Sequence, residues 1–222
     1  MVRLVYLFLF LAGFFAGFIL TFPADMIVAR FLTQHNVSYS LVEGNIFGLK
    51  IKQMEKDNIY LPELGLKYSF PMEVRAYMDM KNYITLNPVT MNGEINLAGI
   101  NLDSYQKKNI VSGSLSGKVD FHREERFLTG KGDFKLSLDS VAGLSLGKLI
   151  VDGVLKPEGK KTSVEADIRG GMVNGLFRGS LVVDIKDLNN SYIEGVFQGR
   201  IFGENTRKNI KFYLRNINGV RW

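Results

Sequence analysis

The sequence predicts a mostly β protein: an N-terminal transmembrane helix followed by one exported antiparallel sheet, curled into a gutter or packed as a sandwich. Three observations carry this. Leu4 to Phe22 is an apolar run without a charge, the chain beyond Asn36 alternates apolar and polar residues, and Gly, Asn and Pro punctuate the ends of those runs. A helix pattern gives way to a strand pattern and does not return, which excludes α/β architectures with crossover helices.

The anchor comes first. Its nineteen residues, LVYLFLFLAGFFAGFILTF, hold Thr21 as the only polar side chain. As a helix they span roughly 28 Å, about the thickness of a bilayer's hydrocarbon core. A cleaved signal peptide has a shorter apolar core and an A-x-A-like cleavage site, whereas Phe22 stands two residues before Ala24. An uncleaved anchor is therefore expected, with Leu4, Phe8, Leu11, Gly13, Gly17 and Phe22 along it. Arg3 ahead of the span and a long domain behind it place residues 1–3 in the cytoplasm and the rest across the membrane. Ala12/Ala16 and Gly13/Gly17 have the small-x-x-x-small spacing that lets membrane helices approach closely.

A juxtamembrane helical segment follows over 23–36. Pro23 suits a first helical turn, and Ala24, Ile27, Val28 and Phe31 share one face. Such a segment rests at the membrane interface, where Arg30 either meets lipid phosphates or, as is commoner for a single arginine, is simply solvated.

The domain from 37 to 222 reads as strands one hairpin apart. Val111-x-Gly113-x-Leu115-x-Gly117-x-Val119-x-Phe121 and Phe134-x-Leu136-x-Leu138 are the clearest runs, and the pattern repeats through Val164, Phe177, Phe197 and Phe212 to Leu214. The turn signals between them are short, such as Pro157 to Lys161 and Asn189-Asn190, so an antiparallel meander is the economical topology. Many glycines fall on the apolar face. They suit an open sheet that bends into a gutter, or a sandwich whose large residues fill the gaps. On the first alternative Val119, Phe121, Phe134, Gly175, Phe177, Gly179, Gly195, Phe197, Gly199 and Phe212 line an apolar groove.

Composition narrows the chemistry. The 222 residues are 46% hydrophobic and 23% charged, with no cysteine and two histidines, so disulfides, thiol catalysis and zinc clusters have no residues to use. His35 ends the juxtamembrane segment, and His122 lies in the charged stretch His122-Arg123-Glu124-Glu125-Arg126, expected at a hairpin tip. Neither stands beside a nucleophile in the sequence. Gly170-Gly171 precedes strand pattern rather than a helix start, so it is not a phosphate loop. A non-enzymatic protein without cofactor or metal is expected. The net charge of +6 suits an anionic membrane face, and with no basic stripe nucleic acid is not an expected partner.

The region 4–71 resembles protein N of the bacterial type II secretion system, the GspN family. The features that carry the likeness are the anchor, Pro23-Ala24 and the short helix to His35, and the patch Gly44-Asn45-Ile46-Phe47-Gly48. Leu64-x-Leu66-x-Tyr68-x-Phe70-Pro71 continues it as an alternating strand closing at a proline. Phe47 stands where that family's tryptophan is usual, and Gly48 comes one residue early. The resemblance implies a single inner-membrane anchor, a β-rich periplasmic domain and other secretion-system components as partners. The same architecture is similar to AsmA-like envelope proteins, which implies an alternative: a lipid-binding or lipid-transfer module that holds acyl chains in a concave apolar groove.

Overall fold

The computed structural model describes residues 24–45, 47–56, 59–69, 72–107, 111–141 and 144–213. The anchor residues Leu4, Phe8, Leu11, Gly13, Gly17 and Phe22, and Pro71, lie outside the described residues. Among those described, no helix is long and apolar enough to cross a membrane.

One helix, α1 (Ala24–Gln34), precedes thirteen strands: β1 (Leu41–Asn45), β2 (Gly48–Lys56), β3 (Ile59–Ser69), β4 (Glu73–Tyr77), β5 (Tyr83–Asn87), β6 (Asn92–Asn101), β7 (Val111–Glu124), β8 (Phe127–Val141), β9 (Leu144–Glu158), β10 (Lys161–Arg169), β11 (Val173–Asp184), β12 (Tyr192–Ile201) and β13 (Glu204–Tyr213). They form one antiparallel sheet in chain order. Each strand is followed by a reversal, because the alternating runs are separated only by turns too short for a crossover. Gly159 and Gly203 take φ of +57° and +85° in two of those turns.

Register gives the sheet two unlike faces. Residues directly opposite in an antiparallel pair share a face. One cross-strand row therefore runs Gly44, Leu49, Leu66, Ala76, Ile84, Ile95, Val119, Gly132, Leu155, Val164, Gly179, Gly195, Ile210, through all thirteen strands without a polar side chain. The opposite face is charged and laced between neighbouring strands. Lys50 meets Glu63 at 3.4 Å, Lys118 meets Glu94 at 3.3 Å, Arg178 meets Glu165 at 2.9 Å and Lys211 meets Glu194 at 2.9 Å.

A lone sheet with one apolar face buries it by curling. The curl closes at β8 to β11, where Val183 pairs with Leu128 and Asp184 with Phe127, outside the hairpin of β9 and β10. Gly130 N donates to Thr162 Oγ1 at 2.9 Å across this closure. The larger core lies within it: Val164, Ala166, Phe177 and Phe197, with Phe134, Val151 and Leu155 packed around them. Each large side chain so buried contributes roughly 1.5–3 kcal/mol. A second core joins Leu32 of α1 to Leu49 and Ile51 of β2. Between the two, over β4 to β7, the apolar face is mostly half-buried.

Candidate functional site

The glycines expected to open a groove instead sit beneath the protein's own aromatic rings. A Cβ on Gly153 would lie 2.2 Å from Phe134 Cζ, and one on Gly195 would lie 2.7 Å from Phe177 Cζ. A Cβ on Gly175 would meet Phe197 Cε2 at 2.9 Å, and one on Gly179 would meet Phe177 Cζ at 2.8 Å. The pairs Gly175/Gly199 and Gly179/Gly195 also face each other directly across β11 and β12. Phe134, Phe177 and Phe197 thus fill the volume that glycine removed, and this end of the sheet is packed. Phe212, opposite Ile193 on β13, is partly exposed beside it.

Space remains one step nearer the middle of the sheet. A cavity of about 370 Å³ lies where the closed end folds toward β5 to β7. Ile84, Ile95, Val119 and Phe121 form one wall, and Leu128, Gly130, Leu155, Leu181 and Val183 form the other, with Thr129 and Thr162 at the join. Of the expected groove residues, Val119 and Phe121 reach it. Ile84 stands beside them through the ladder of β5 and β6, whereas Leu155, Leu181 and Val183 are brought there by the fold-back of β11 onto β8, a pairing of which local periodicity carries no trace.

Both threonines are buried, and both hydroxyls are engaged. Thr162 Oγ1 accepts the Gly130 N–H, and Thr129 Oγ1 lies 2.9 Å from His122 Nε2. Each hydroxyl oxygen thus has a protein partner, and no charged side chain lines the cavity. His122 belongs to β7 and is held by that bond, and the hairpin tip is formed by Glu125 and Arg126 instead; the charged run hid a strand that continues to Glu124. No group of three or more metal-ligating side chains comes together among the described residues.

The mouth of the closed end carries paired charges. Arg126 meets the buried carboxylate of Asp184 at 3.2 Å, and Lys160 meets Glu125 at 2.7 Å. Asp184 Oδ1 also accepts the Lys186 N–H at 3.0 Å, which ties the loop after β11. On the charged face, the hydrogen bond to Glu94 holds the Tyr83 phenol and the Lys118 ammonium above their ordinary values. Glu94 is thus shared between a neutral phenol and an ammonium across β5, β6 and β7.

The patch at 44–48 is the hairpin between β1 and β2. Gly44 has φ of +126°, and a Cβ there would lie 2.1 Å from Gly48 O. Asn45 Oδ1 accepts from Phe47 N at 2.9 Å and Gly48 N at 3.2 Å, while Tyr68 N donates to Phe47 O at 3.0 Å. A second, mainly apolar cavity, about 260 Å³, lies between Val28 of α1 and Leu49, Leu66, Tyr68 and Val74, with Asn45 and Lys67 also in its lining.

No protein-family model, no curated protein and no solved structure matches this chain.

Proposed function

We propose that this chain is a membrane-anchored envelope protein whose curled sheet binds lipid acyl chains on its apolar face. It acts without covalent chemistry. The observation that carries this reading is the cavity over Val119 and Phe121, which is lined by apolar side chains and two threonines, carries no charge and adjoins the mostly half-buried face of β4 to β7. Its volume lies within the range of small-molecule sites, and an occupant that needs no polar partner there is a hydrocarbon chain. The Leu4 to Phe22 anchor holds the domain at the source of such chains, on the far side of an inner membrane.

The test is lipid analysis of the full chain purified in mild detergent. Phospholipid should co-purify in defined stoichiometry, and Val119→Trp, which fills the cavity, should remove it while the protein stays folded. Lipid retained equally by both proteins would place it on the anchor and not in the sheet.

A second reading, a component of a type II secretion apparatus acting by strand addition, is favoured by one observation. Among the described residues no strand covers the outer edge of β13, and an open edge recruits an extended partner segment. Deleting the gene and finding export of a type II substrate undiminished would remove this reading.

A further inference from the structure

Helix α1 carries an apolar arc wider than the sheet covers. At 100° per residue Ile27, Phe31, Val28 and Leu32 form one continuous stripe of about 140°. Val28 and Leu32 pack onto β2, whereas Ile27 and Phe31 stay 57% and 58% exposed. Phe31 is further held by the His35 ring, with centroids 4.3 Å apart. Arg30 is exposed on the side next to Ile27.

An apolar helix flank of this kind needs a cover, and the sequence names it. The nineteen-residue anchor expected from the sequence ends at Phe22, two positions before α1 begins. With that anchor in a bilayer, Ile27 stands five residues beyond its end, no more than roughly 18 Å of chain from the membrane surface. Ile27 and Phe31 suit the acyl boundary and Arg30 the phosphates, the arrangement of a helix lying in the membrane plane.

The other flank of α1 covers the first strands of the apolar face incompletely. The 260 Å³ cavity between Val28 and Val74 opens there, and both its Leu49 and Leu66 belong to the row that continues through Ile84 and Val119 to the larger cavity.

We infer that α1 lies in the membrane interface on its Ile27/Phe31 flank, and that the cavity under Val28 is the port through which a phospholipid acyl chain passes from the bilayer onto the sheet. The port rests on the acyl-binding reading above, and the membrane contact of α1 rests on the anchor alone.

The experiment uses the full chain in vesicles of phosphatidylethanolamine and phosphatidylglycerol with brominated acyl chains, in a Trp222→Phe background that removes the single tryptophan. Phe31→Trp should be quenched at a depth of about 5–10 Å below the headgroups, while Val89→Trp, at the exposed turn after β5, should not be. Equal behaviour of the two would overturn the interface assignment. Phe121→Trp, which exchanges one ring for another at the wall, then reports on the larger cavity. Its quenching should develop several-fold more slowly when the port is filled by Val28→Phe, and faster when it is widened by Val28→Ala. Quenching of Phe121→Trp that is indifferent to both changes would overturn the port and leave the acyl-binding reading standing. No quenching of Phe121→Trp in any variant would remove both.

Discussion

Individual residues decide whether the apolar face is packed or open. Phe177 and Arg178 are adjacent in β11 and point to opposite faces, the first 9% exposed in the closed core and the second paired with Glu165 in solvent. Phe177→Asp should cost about 3–5 kcal/mol or more, because a cavity and an unpaired carboxylate replace the ring. Arg178→Asp forfeits one exposed ion pair and sets a second carboxylate opposite Glu165 in solvent, which should cost about 1–2 kcal/mol. Chemical denaturation of the two variants checks this, and equal losses would mean the strand faces the other way. Glycines separate in the same manner. Gly44→Ala must place a Cβ against Gly48 O at a φ of +126°, whereas a Cβ on Gly48 meets nothing within 4 Å. The first substitution should lower the midpoint of thermal unfolding and the second should leave it unchanged. Alternation in the sequence made the facing of Phe177 legible. It did not say that Gly44 needs its backbone freedom and Gly48 does not, since that difference arises from the tightness of a turn held by Asn45.

At the scale of elements, β11 and β12 show how far pattern reading extends. The motif Gly-x-Phe-x-Gly occurs in both, and the register sets Gly175 against Gly199, Phe177 against Phe197 and Gly179 against Gly195. Sequence placed these residues on one face. Whether the glycines enclose empty space or receive rings depends on side-chain direction, and the rings of Phe177 and Phe197 lean onto the glycines of both strands. Gly179→Leu and Gly199→Leu should therefore each destabilise by roughly 1–3 kcal/mol or more, as overpacking against Glu194 O and Asn174 O. Stability retained in both would restore an open groove at this end. The next pair, β12 with β13, has its own signature on the charged face. The hydrogen bond from Lys211 lowers the pKa of Glu194 and raises that of Lys211. A depressed carboxylate stabilises the fold above its ordinary value, and that stability is lost as pH falls through the lowered one. The raised ammonium acts in the opposite limb, stabilising until pH rises through its raised value. Glu194→Gln should remove this pair's contribution to both limbs, read as a slightly flatter dependence of the denaturation midpoint on pH.

For the whole molecule, the meander was legible because every connection is local, and the closure was not because it joins strands three apart. That closure divides the sheet's stability unevenly. The strands β8 to β12 surround a core with four buried apolar side chains, α1 to β3 share a smaller one, and β4 and β5 are five residues each with half-buried apolar residues between the two. Local opening follows burial and backbone pairing. Among the strands paired on both sides, backbone amides of β4 and β5 should exchange with solvent fastest and those of β10 and β11 slowest, measured on the full chain by mass spectrometry. Ile84 of β5 and Ile95 of β6 line the larger cavity. An acyl chain bound there stabilises the folded state by mass action, and its contacts fall on the strands that lack a core of their own. Phospholipid should therefore slow exchange in β4 to β7 and leave β12 nearly untouched. Uniform slowing along the chain would point to a global effect of detergent or anchor, and slowing confined to β12 and β13 would put the ligand on the opposite end of the sheet.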